Sequence, residues 1–79
     1  MTALEIQQKV QATISAVLNC NVDATNSRAN TENWDSLKNI EIVFSLEDAF
    51  GVSFTEKQLT QLDSVANISE LIFNIKNES

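Results

Sequence analysis

The stretch DSLKNIEIVFSLEDAFG, residues 35–51, decides the fold. At about 100° per residue, Ile42, Val43, Leu46, Ala49 and Phe50 fall along one broad helical stripe. Leu37, Ile40 and Phe44 lie beside it at i, i+3 and i+7. The polar residues do not alternate with a period of two, which argues against a strand. Asp35 suits an N-cap, because its carboxylate accepts amide hydrogens left free in a first helical turn. Gly51 stands where a left-handed residue closes a helix, with Val52 placed for the accompanying hydrophobic contact. A helix over residues 36–50 follows.

Working outward, the same periodicity recurs on both sides. Ile6, Val10, Ile14, Val17 and Leu18, joined by Ala3, define a first helix over 2–18, with Gln7, Gln8, Lys9 and Gln11 mainly outside the stripe. Between Asn19 and Trp34 the pattern stops. Asn, Thr, Ser and Asp dominate there, and their side chains compete with regular backbone pairing. Val22, Ala24, Ala29 and Trp34 are the residues available to pin this long loop to a core. Thr55 and Gln58 have capping-box spacing, which places a short third helix over 56–61. A fourth, over 65–76, follows Ser64 and buries Val65, Ile68, Leu71, Ile72 and Ile75. Phe54, Leu59 and Leu62 are expected to fill the gap between the second and fourth helices. The sequence therefore specifies an all-α fold: a small four-helix bundle, one domain over 1–79, with a long loop between helices one and two.

Composition narrows the function classes. At 79 residues the chain buries only a modest core. Eleven acidic residues against five basic ones give a net charge of -6, which repels nucleic acid and favours basic partners. There is no histidine, and the single glycine excludes a Gly-rich phosphate loop. One cysteine forms no internal disulfide, and Cys20 reads as a small semi-buried side chain. No stretch approaches the roughly 18 apolar residues of a membrane span, so the expectation is a cytoplasmic protein; a monomer is expected because recognition by partners needs an accessible second helix.

The apolar surface of the second helix covers roughly two-thirds of the wheel, more than one core face needs. Leu37, Ile40 and Phe44 are open to two readings: core residues facing the long loop, or a surface for a partner. Glu41, Glu47 and Asp48 frame that rim, and residues 32–56 hold six acidic residues against Lys38 alone. Ser36 projects between the two apolar sets. It has no His, Lys or Cys neighbour in the pattern to activate it, so it suits a handle modified by another enzyme. A phosphodiester there would meet free amides and the positive end of the helix.

Asp35-Ser36-Leu37, heading an acidic and apolar helix, resembles the attachment motif of acyl carrier proteins. Trp34 to Phe50, with Gly51, Val52 and Phe54, is similar to that family's second helix and exit loop. Ile6 to Leu18, Glu56 to Gln61 and Val65 to Ile75 resemble its other three helices. The resemblance implies covalent 4′-phosphopantetheine on Ser36, transferred from coenzyme A by a magnesium-dependent phosphopantetheinyl transferase, with Asp35 as cap and motif residue. It implies a non-catalytic carrier that holds an acyl group as a thioester. Leu37, Ile40, Glu41, Phe44, Glu47 and Asp48 match positions that face the transferase and acyl-activating, acyltransferase or synthase partners with basic docking surfaces. Ile40, Phe44, Leu46, Leu62 and Ile72 are candidates for lining a space that shelters the acyl chain. No metal site is implied.

Two departures from the family pattern stand out. Trp34 replaces the usual small residue, and Lys38 and Phe44 change the chemistry of the recognition surface. Both point to a specialised stand-alone carrier of secondary metabolism, cell-envelope or polysaccharide pathways rather than the general fatty acid carrier. The rival readings are an unmodified acidic interaction or regulatory protein and a peptidyl or aminoacyl carrier.

Overall fold

The computed structural model describes residues 2–78, with side chains to residue 77; residues 1 and 79 of the expected domain lie outside it. Four helices follow in order: α1 (Ala3–Leu18), α2 (Ser36–Phe50), α3 (Glu56–Leu59) and α4 (Val65–Glu78). No strand forms among the described residues; one isolated bridge joins Ser27 to Ser64. The all-α bundle expected from the periodicity is what the chain adopts.

The helix ends follow from side-chain chemistry. Thr2 is the N-cap of α1 rather than its first residue. Its hydroxyl accepts the Glu5 amide at 3.2 Å and Glu5 reaches back to the Thr2 amide at 3.1 Å. That backbone contact, followed by the Thr2 side chain, holds the Glu5 carboxyl below its ordinary range. Thr55 and Gln58 close the same kind of box on α3, which stops at Leu59, two residues short of the sequence expectation. Ser64 caps α4 by accepting the Asn67 amide at 3.0 Å.

At the far end of α2, Gly51 takes φ 64°, and the Gly51 and Val52 amides both return to the Glu47 carbonyl. A Cβ at this position meets nothing within 4 Å, so space is not the constraint. The left-handed backbone is. Gly51→Ala is expected to cost about 1–2 kcal/mol through that strain alone. Urea unfolding measures it, and a loss of only a few tenths would contradict the account.

The core gathers the inward stripes of α1, α2 and α4. Ile6, Val10, Ile14, Ile42, Leu46, Ile68 and Ile72 are fully buried, and α1 packs against both α2 and α4. Val17 and Leu71 pack partly buried against this cluster, while Ala3 is exposed and lies outside it. Leu62 is buried and Phe54 partly so, but Leu59 stays 39% exposed, so it does not fill the gap between α2 and α4.

The loop between α1 and α2 is ordered by its own polar residues. Asp23 accepts the Thr25 amide, Asn26 accepts the Asp23 amide and Asn30 accepts the Ser27 amide, each at 2.8 Å. The Thr25 side chain and amide hold the Asp23 carboxyl below its ordinary range. Two backbone bonds then tie the loop to the turn before α4: Arg28 N–H to the Asp63 carbonyl at 2.8 Å, and Val65 N–H to the Asn26 carbonyl at 3.0 Å. Val22 and Trp34 are buried pins, as expected. Ala24 and Ala29 are exposed and pin nothing, because the backbone clamps do that work.

Candidate functional site

The start of α2 is fastened from two directions. Asp35, in extended conformation, accepts the Lys38 amide on Oδ1 at 2.8 Å. Trp34 just before it is buried, and its indole Nε1 donates to Asn39 Oδ1 at 2.8 Å. The indole therefore satisfies its polar edge while its body fills the core. With the loop end held inside and the cap closed, Ser36 is left in the first turn with its side chain exposed.

The Ser36 hydroxyl has a neighbour that spacing did not disclose. Arg28 Nη2 donates to Ser36 Oγ at 3.1 Å. Arginine offers donors and no acceptor, so it does not take the hydroxyl proton. Among the described residues no general base contacts Ser36. The arrangement presents an exposed hydroxyl with a cationic donor beside it.

Beyond Ser36, the outward side of α2 is apolar. Leu37 is 69% exposed, Ile40 53% and Phe44 66%. These values decide between the two readings of the wide stripe: the three are surface residues. Ile40 and Phe44 join Asn39, Val43 and Leu59 around a shallow hollow of about 180 Å³. The five residues considered for an acyl shelter do not come together. Leu46, Leu62 and Ile72 are packed inside the core, on the other side of α2 from exposed Ile40 and Phe44. The apolar hollow lies instead at the surface, between α2 and Leu59 of α3.

The acidic residues divide as well. Asp48 is exposed, and Glu41 is exposed with a 3.2 Å ion pair to Lys38. Glu47 is half-buried, and its Oε2 accepts the Phe54 amide at 2.9 Å, fixing the chain after Gly51. Its carboxylate thus has a structural task that Glu41 and Asp48 do not share.

A family model for a phosphopantetheine attachment site matches residues 8–72. The acyl carrier protein of Thermosynechococcus vestitus is 30% identical over 77 residues, covering 94% of this chain and 95% of that protein. The chain belongs to the acyl carrier protein family. Its role is that of a carrier, and its cofactor is covalently attached 4′-phosphopantetheine. The carrier has no helix, among the described residues, long and apolar enough to cross a membrane. The residues at the start of α2 suit the group: an exposed hydroxyl, beside a guanidinium that makes no ion pair among the described residues, matches a singly charged phosphodiester.

Proposed function

We propose that Ser36 is the attachment residue and that the arm it bears carries an acyl group as a thioester. The observation that carries this reading is the exposed Ser36 hydroxyl, directly after the Asp35 cap, heading a helix whose outward face is apolar and acidic. In the loading step the Ser36 oxygen attacks the β-phosphorus of coenzyme A. The phosphorus–oxygen bond to adenosine 3′,5′-bisphosphate breaks, that group leaves with the electron pair, and a base of the transferase takes the hydroxyl proton. The arm supplies a terminal thiol, whose thioester activates the acyl carbonyl and the neighbouring carbon.

The carrier's own residues do the presenting. Leu37, Ile40 and Phe44 offer an apolar contact surface, and Glu41 and Asp48 surround it with charge. Such a surface suits transferase, acyltransferase and synthase partners with basic docking faces. Contacts of this size release quickly, as a shuttle requires. The acidity favours an acyl carrier over a peptidyl one, with a monomer in the cytoplasm as the working form.

The test is intact-mass measurement after incubation with coenzyme A, magnesium and a broad-specificity phosphopantetheinyl transferase. One added phosphopantetheine is expected; no gain with several transferases would refute the reading. Docking has its own check. Glu41→Lys combined with Asp48→Lys is expected to slow loading several-fold at low salt, with the difference shrinking as salt rises. Equal rates at every ionic strength would remove α2 from the docking face.

A further inference from the structure

Arg28 is the chain's only arginine, in a protein with eleven acidic residues. An arginine in such a setting ordinarily finds a carboxylate. This one does not. Among the described residues its guanidinium makes no ion pair, and its side-chain bond goes to the neutral Ser36 hydroxyl at 3.1 Å. Lys38, the other cation near Ser36, is occupied by Glu41 at 3.2 Å.

The fold fixes the backbone from which Arg28 reaches Ser36. The Arg28 backbone N–H is tied to the Asp63 carbonyl at 2.8 Å, next to the Ser27–Ser64 bridge. Asn30 fixes the preceding amide at 2.8 Å. The loop is thereby clamped against the turn before α4, with Arg28 directed across to the first turn of α2. A planar guanidinium held unpaired beside a hydroxyl lacks the anion that its geometry matches.

We propose that Arg28 is the positioning residue for the phosphodiester, donating charge-assisted hydrogen bonds to its non-bridging oxygens once Ser36 is modified. The inference rests on Ser36 being the attachment residue. Esterification removes the hydroxyl proton and makes Oγ a poorer acceptor. It also places two non-bridging oxygens, sharing one negative charge, two bonds beyond Oγ, where a donor already at hydrogen-bond distance reaches them by a small side-chain rotation. Arg28 and the amide end of α2 then hold the phosphodiester from two sides, which fixes the direction in which the arm leaves the surface. The Lys38 amide is committed to Asp35, so the guanidinium supplies a donor the cap has taken away.

A lone arginine makes the test direct, because its side-chain Nε–H gives a single resonance in a proton–nitrogen spectrum. That resonance is expected to move on conversion from unmodified to modified carrier, and its exchange with water to slow several-fold. The modified protein also has a single phosphorus resonance, expected to shift in Arg28→Gln and to lie between the two in Arg28→Lys. Each variant is driven to full loading with excess transferase and checked by intact mass and thermal unfolding. Full loading with an unmoved Arg28 resonance and an unchanged phosphorus shift would overturn the Arg28 role alone. Failure to load Ser36 in the unaltered chain would overturn the attachment reading, and the role of Arg28 with it.

Discussion

A Ser36→Ala carrier incubated with coenzyme A, magnesium and a phosphopantetheinyl transferase is expected to gain no mass, whereas the unaltered chain gains one phosphopantetheine. The effect is all or none because no other hydroxyl among the described residues shares the setting. Ser45 lies within α2 and is half-buried, and Ser64 is engaged as the cap of α4. Ser53 is exposed, but it follows the end of α2 and meets no helix start. Among the described residues, only Ser36 combines exposure, the positive end of a long helix and a preceding Asp cap. The substitution itself is mild, since an exposed serine replaced by alanine normally changes stability by no more than about 0.5 kcal/mol. Loss of loading in a folded variant is therefore a chemical result. A mass gain in Ser36→Ala would move the handle elsewhere.

The second large effect concerns stability and separates the two sides of α2. Leu46 is fully buried, while Phe44, two residues earlier, is 66% exposed. Leu46→Ala is expected to cost about 2–5 kcal/mol, because the surrounding core side chains only partly close over the lost volume. Small domains have totals on the order of 5–15 kcal/mol, so this is a large share of the whole. Phe44→Ala removes a larger side chain and is expected to change stability by about 0.5 kcal/mol or less. Denaturant unfolding of the two variants measures the contrast. Similar losses for both would mean that Phe44 is a core residue and that the proposed partner face is wrong. Loading kinetics add an independent reading, because Phe44→Ala should weaken partner contact while leaving the fold intact.

Much of this was legible in the chain because the governing interactions are local. Helix periodicity, the Asp35 cap, the Thr55–Gln58 box and the Gly51 closure each involve residues within a few positions of one another. The excess width of the apolar stripe on α2 was legible too, but not its outcome. Whether Ile40 faces a loop or water depends on where the residue 19–35 segment runs, and no periodicity encodes that. The segment is held by bonds between its own polar side chains and by backbone bonds to the turn before α4. Backbone groups carry no residue identity, so Ala24 and Ala29 looked as able to pin the loop as Val22. For the same reason Arg28 was invisible as a neighbour of Ser36, and Glu47 looked like one more rim charge although it holds the Phe54 amide.

Ser36 shows the division most clearly. The sequence alone determined that a serine follows a capping aspartate at the head of an acidic helix, since caps and helical faces are set by neighbours along the chain. The tertiary structure decided that Leu37, Ile40 and Phe44 stay in water, that the apolar hollow lies outside the buried core, and that Arg28 reaches the hydroxyl. Those facts depend on segments distant in sequence meeting in space, through backbone bonds and close packing that no single segment specifies.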